Sequence, residues 1–220
     1  KEEIELIQDQ LKLFQDCKAP CIVFAEVSDS IAGNPKRPLS TRPQMTNDEW
    51  INYCKKISEI GKYLEDQGMP LAYHHHMGTV IETQQDTERL LENTSDQVKL
   101  ILDTGHMLFA GGNSIEVAND FKERIIHVHC KDMRKKVLEK SLKEDFSFRQ
   151  AFLEGAFTVP GDGFIDYEPL LTFLKKSNYN GWLVVEAEQD PAKANPLEYA
   201  RIGYNYLSNV CKKIDLEINL

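Results

Sequence analysis

Apolar residues along this chain fall into two alternating rhythms. One is helical: Ile4, Ile7, Leu11 and Phe14 recur at helix spacing over residues 2–16, with acids and glutamines between them. The other is a set of short, continuous apolar runs that read as strands, at 21–27, 70–76, 98–103, 124–130 and 182–187. Thr46-Asn-Asp-Glu49 is a capping box. It opens a helix through Trp50, Tyr53, Ile57 and Ile60 to about Asp66, which Gln67-Gly68 closes. Further helices are expected at 82–93, near 114–122, from Tyr167 to Ser177, and from Pro196 through Tyr199, Ile202, Tyr206 and Val210. Ser28 to Met45 reads as a long loop carrying Arg37 and Arg42, residues 133–150 as loop plus irregular helix, and Phe157 to Asp166 as a turn-rich loop. Strands that are apolar throughout and alternate with helices predict a parallel sheet covered on one or both faces. Right-handed crossovers then gather every strand's C-terminal end at one edge.

The stretch Arg124-Ile-Ile-His-Val-His-Cys-Lys-Asp132 is the centre of this pattern. Arg124 to Val128 reads as an apolar strand with one polar intruder, His127. With a period of two, His129 and Lys131 share a face, while Cys130 and Asp132 point the other way. An imidazole beside an ammonium at a strand mouth is of little use to a core and of much use to a site.

Length and charge narrow the picture. The 220 residues suit a single domain, and the net charge of −9 argues against nucleic acid or an anionic membrane as principal partner. No apolar span is long enough to cross a bilayer. The five cysteines are odd in number and scattered, which reads as reduced thiols in a cytoplasmic chain; Cys17 and Cys21 straddle a helix-to-strand turn and are weak metal candidates. No glycine-rich phosphate fingerprint follows any strand. The chain opens on Lys-Glu-Glu-Ile, directly in a helical pattern, as though entering a fold part-way through.

All five strands finish in polar residues: Glu26; His74, His75 and His76; Asp103 and His106; His129 and Lys131; Glu186 and Glu188. A lone Asp or His at a strand end most often anchors a loop. Several from different strands, gathered at the C-terminal face of a parallel β/α barrel, suit a divalent metal such as Mn, Co, Fe or Zn.

The runs Leu71-Ala-Tyr-His-His-His-Met-Gly-Thr79, Leu102-Asp-Thr-Gly-His106, His127-Val-His-Cys-Lys-Asp132, Val159-Pro-Gly-Asp-Gly163 and Val185-Glu-Ala-Glu-Gln-Asp190 resemble the inosose dehydratases, within the xylose-isomerase-like TIM-barrel superfamily. The resemblance covers residues 16 to 205. It implies an α/β TIM barrel, here one domain over 1–220 that lacks the first three strands. It also implies dehydration of 2-keto-myo-inositol, a keto-polyol substrate, a divalent metal (Mn or Co), and admits glutathione. By motif, the metal ligands are Asp103, His129 and Glu186. The fourth falls on His74, where the superfamily has a glutamate; Glu26 or His76 is the alternative. For the chemistry, Glu186 or Lys131 is the candidate base and His106 or His76 the proton donor. Arg37, Arg42, Glu26 and Glu188 are candidate substrate contacts, the arginines as a lid. A homo-oligomer is admitted. The rival readings are a keto-sugar 3-epimerase or isomerase and a non-catalytic sugar-binding remnant. A nuclease of the endonuclease IV type is disfavoured by the acidic balance.

Overall fold

The computed structural model describes residues 2–218; Lys1, Asn219 and Leu220, which the expected 1–220 domain includes, lie outside them. The chain opens with α1 (Glu2–Leu6) and α2 (Gln8–Asp16), so the single helix expected over 2–16 is interrupted at Ile7. Then come β1 (Ile22–Phe24), a 3-10 turn at Leu39–Thr41, α3 (Asn47–Asp66), β2 (Leu71–His74), α4 (Gln84–Asn93) and β3 (Val98–Asp103). The second half runs α5 (Thr104–Phe109), α6 (Ser114–Asp120), β4 (Ile125–Cys130), β5 (Asp132–Met133), α7 (Lys135–Lys143), α8 (Phe148–Leu153), β6 (Phe157–Thr158), α9 (Glu168–Lys176), β7 (Trp182–Val185) and α10 (Pro196–Lys213).

Five strands form one parallel sheet in the order β1-β2-β3-β4-β7. Its middle is buried on both faces, and Leu71, Ala72, Leu100, Ile101, Leu102 and Val128 are wholly inaccessible. That is why these runs are apolar throughout. On the outer face, Leu100, Leu102, Val128 and Cys130 pack with Leu170, Leu171 and Leu174 of α9 and Leu207 and Cys211 of α10. Helix α3 follows the same logic. Thr46 and Glu49 form the reciprocal capping box, and Trp50, Cys54, Ile57, Gly61 and Leu64 make one buried stripe.

Several expectations need correction. Strand β1 ends at Phe24, so Glu26 lies beyond the sheet; among the described residues β1 is an edge strand paired with β2 alone. Arg124 is not part of β4. Its guanidinium is buried and donates to the carbonyls of Val98, Leu91 and Ser95, closing off the end of α4 and the start of β3. Residues 133–150 carry two regular helices. The turn-rich loop at 157 begins as a strand antiparallel to β5. All five cysteines are free, and only Cys17 is exposed. Among the described residues, no helix is long and apolar enough to cross a membrane.

Candidate active site

The site is built from consecutive strand ends, and one irregularity sets its phase. Leu100 pairs with Ile125, but Ile101 pairs with His127, so Ile126 is an extra residue in β4. A one-residue slip moves every later side chain to the opposite face. The bulge therefore brings His127 and His129 into phase with Ile101 and Asp103, on the inward face. His74 pairs with Ile101, and His129 pairs with Val184, two residues before Glu186. Register alone thus puts His74, Asp103, His129 and Glu186 on one face.

Their polar atoms converge. Asp103 Oδ2 lies 3.3 Å from His74 Nε2 and 3.4 Å from His129 Nδ1. His129 Nδ1 is 2.8 Å from Glu186 Oε2. Asp103 Oδ1 is engaged elsewhere: it accepts from the His106 N–H at 2.8 Å and caps α5, which starts where β3 stops. The carboxylate is therefore fixed at one oxygen and free at the other. The Asp103 N–H donates to His75 Nε2 at 3.2 Å, so His75, also buried, braces the strand end from behind.

Lys131 is fully buried at the back of this group. Its ammonium reaches Glu188 Oε2 at 2.9 Å, His106 Nε2 at 3.0 Å, and Asp103 Oδ2 and Glu186 Oε2 at 3.4 Å each. Cys130 and Asp132 face away, as the period of two requires. Cys130 joins the outer core, and Asp132 Oδ1 accepts from the N–H groups of Met133, Phe164 and Ile165. Beside Lys131, the rings of His76 and His106 lie with centroids 3.9 Å apart and planes tilted by 44°, and Glu188 faces both, 3.6 Å from His76 Nε2 and 3.3 Å from His106 Nε2. The Met77 N–H donates to His106 Nδ1 at 3.4 Å, while Nε2 faces both the Lys131 ammonium and the Glu188 carboxylate.

The charges are strongly coupled. Burial alone would raise the Asp103 carboxyl, but the Lys131 ammonium, helped by the rings of His129 and His74, overcomes it and holds it well below the usual range. Burial would lower His129, yet the carboxylates of Asp103 and Glu186 beside its ring raise it to about 9. Burial pulls Lys131 down less than Asp103, Glu188 and Glu186 push it up, so it stays an ammonium. The depressed lysine that a general base requires is not what this environment produces. Burial keeps His106 neutral and lowers His127 to about 4.

Three expected substrate contacts are not brought to this cluster. The Glu26 carboxylate accepts from the Ser28 N–H at 2.8 Å, beyond the end of an edge strand. Arg37 is exposed and bonds to Thr41 of its own loop. Arg42 pairs with Asp86 at 3.0 Å and Glu82 at 3.5 Å, tying the loop to the start of α4. The other nine positions, His74, His76, Asp103, His106, His129, Lys131, Glu186 and Glu188 with their neighbour His75, are in the cluster. Sequence reasoning missed Thr104 and Gly105. The Thr104 hydroxyl accepts from the Lys131 N–H at 3.1 Å and donates to the Lys131 carbonyl at 2.7 Å. Gly105 leaves the room through which the lysine stem passes. Their only signal was the run Asp103-Thr-Gly-His106.

The donor set suits a cation. His74, Asp103 and His129 present ligand atoms within 4.8 Å of one another. His129 Nδ1 and Glu186 Oε2 are buried and 2.8 Å apart, yet neither makes a hydrogen bond. Buried polar atoms of native proteins are almost always satisfied; two that face each other in this way are what a shared metal would satisfy. Two imidazoles and two carboxylates match first-row divalent ions.

Comparison with known proteins gives the family. The profile of the xylose isomerase-like TIM barrel matches residues 1–210. The chain belongs to that family. It is 44% identical over 191 residues to an inosose dehydratase of Clostridium beijerinckii, covering 86% of this chain and 64% of the relative. It is 42% identical over 208 residues to the rhizopine catabolism protein MocC of Rhizobium meliloti, covering 94% of this chain and 64% of that protein. The chain thus spans just under two thirds of the length of these relatives. Among solved structures, the IOLI protein with a bound zinc atom superposes with a TM-score of 0.67 at 19% identity, over 97% of this chain and 71% of that one, a likeness of fold.

Proposed function

We propose that this chain carries the reacting centre of a metal-dependent hydro-lyase that removes water from 2-keto-myo-inositol (scyllo-inosose) in inositol catabolism. The convergence of His74, Asp103, His129 and Glu186 from four strands carries this reading, and the 44% identity to an inosose dehydratase supports the substrate. Mn or Co is the proposed ion, held by those four residues, where it would supply a Lewis acid for the charge that develops on the ketone oxygen. We further propose one barrel domain acting in the cytoplasm, where its thiols stay reduced.

The chain's own groups divide the proton transfers. The ion pairs of Glu186 run through Oε2, to His129 and Lys131, which leaves Oε1 to take the proton from the carbon beside the ketone. His76 is the imidazole open to a substrate, whereas His106 is wholly buried behind it. His76 therefore gives the proton to the departing hydroxyl, which leaves as water as the carbon–carbon double bond forms. Lys131 keeps its proton, and its fixed positive charge offsets the negative charge of the enolate.

The test is the rise in dione absorbance from 2-keto-myo-inositol with Mn or Co, with and without glutathione. Chelation, Asp103→Asn and His129→Ala should each abolish it. Turnover that survives chelation sinks the metal reading, and an epimeric sugar in place of the dione selects the epimerase.

A further inference from the structure

Beside the four ligands lies a second group with metal-ligand chemistry. His76, His106 and Glu188 also present ligand atoms within 4.8 Å of one another. Nothing in the dehydration requires a second ion. The Lys131 ammonium already stands against this group, 2.9 Å from Glu188 Oε2 and 3.0 Å from His106 Nε2, and its other contacts, Asp103 Oδ2 and Glu186 Oε2, belong to the first group. Lys131 therefore lies between the two sets of donors and touches both.

We infer that the Lys131 ammonium is a built-in substitute for a second metal ion, and that it limits the centre to one divalent cation. Three observations carry this. First, metal–ligand bonds to nitrogen and oxygen are about 2.0–2.2 Å long. An ion bonded to His106 and Glu188 would crowd into the few ångströms that Nζ fills, where two positive charges repel strongly. Second, Asp103, Glu186 and Glu188 bring three negative charges, which one divalent ion and one ammonium neutralise; a second divalent ion beside the lysine would leave a buried excess of positive charge. Third, the lysine cannot swing aside. Thr104 holds its backbone on both sides, and its stem runs against Gly105, where an added Cβ would lie 2.7 Å from Cγ. A tethered charge also holds its place whatever the metal supply, which a second ion does not.

The inference rests on the four-ligand centre of the proposed function and is tested by metal content rather than turnover. The full chain, stripped with chelator and titrated with Mn(II), should take up one equivalent and show the six-line resonance of an isolated ion. Lys131→Met, similar in length but uncharged, should take up two equivalents, with the resonance broadened by the neighbouring ion. Lys131→Arg should stay at one, and Lys131→Met combined with Glu188→Gln should return to one. One equivalent in a folded Lys131→Met overturns the inference and spares the four-ligand centre. Two equivalents in the unsubstituted chain do the same. No uptake at all overturns both. Should Lys131→Met not fold, Glu188→Gln and His76→Ala with the lysine intact decide: each should still bind one equivalent, and a loss of that equivalent shows that the second group, not the lysine, completes the centre.

Discussion

Gly105 has a hard steric task. A Cβ there would lie 2.7 Å from Lys131 Cγ and 2.9 Å from its Cβ, atoms too close to the backbone to move aside. Gly105→Ala should displace the ammonium from Asp103, Glu186 and Glu188. We expect a fall in kcat of at least about tenfold and a stability loss of about 1–3 kcal/mol from overpacking, read from steady-state kinetics and urea unfolding. At His129 the argument is one of protons. Asp103 and Glu186 raise its imidazole to about 9, so below that pH a proton sits where a cation would bind. A ligand histidine must be neutral. Mn(II) affinity should therefore rise with pH up to about 9 and level off above it, with one proton released per ion below that point. Calorimetric titration in buffers of different ionisation enthalpy measures the release, and an affinity flat between pH 6 and 8 rules the coupling out. The polar residues at strand ends were legible because they break otherwise apolar runs where parallel strands bring their C-terminal ends to one edge. What could not be read was direction: Glu26, Arg37 and Arg42 looked as eligible as Glu188, and local bonds to Ser28, Thr41 and Asp86 decided otherwise.

At the scale of elements, local signals were read well where they were self-contained. The capping box at Thr46 and the apolar stripe below it placed α3 within a residue of its observed limits. Thr46→Ala should cost about 0.5–2 kcal/mol in unfolding free energy while turnover per folded molecule and metal content stay unchanged, because Thr46 is exposed and its side chain bonds to Glu49 of its own cap rather than to any ligand. A matching loss of metal would mean that α3 positions the site. Elements too short to carry a period, or defined only through distant partners, were missed. Helix α5 is six residues, too short to show a period, and exists because Asp103 caps it from the end of β3. Strands β5 and β6 have two residues each and are strands only through each other. The bulge at Ile126 is the most consequential of these, since it decides which face His129 takes, and the adjacent apolar pair Ile125-Ile126 carries no mark of it.

At the largest scale, the sheet of the described residues has two open edges. Among the described residues five parallel strands are paired in order, so β1 and β7 each have a neighbour on one side only. A closed barrel of this class has eight strands and no edges. The inward face near both edges is correspondingly uncovered: Trp182, opposite His127, is 60% exposed, and Val23, opposite Ala72, is 47% exposed. Unpaired backbone beside exposed apolar side chains is a template for strand addition. We expect the purified 220-residue chain to associate, with a mass by light scattering that grows with concentration. Val23→Lys with Trp182→Lys should shift it toward the monomer, because a charge on an edge opposes pairing and neither side chain is among the metal donors. Metal uptake by that double variant then separates two roles of the association. If one equivalent is still bound, the centre is complete within a single chain, as the register of β2, β3, β4 and β7 requires. If uptake is lost with the association, a second copy supplies part of what holds Glu186 and Glu188 in place, because β7, which leads into them, is itself an edge.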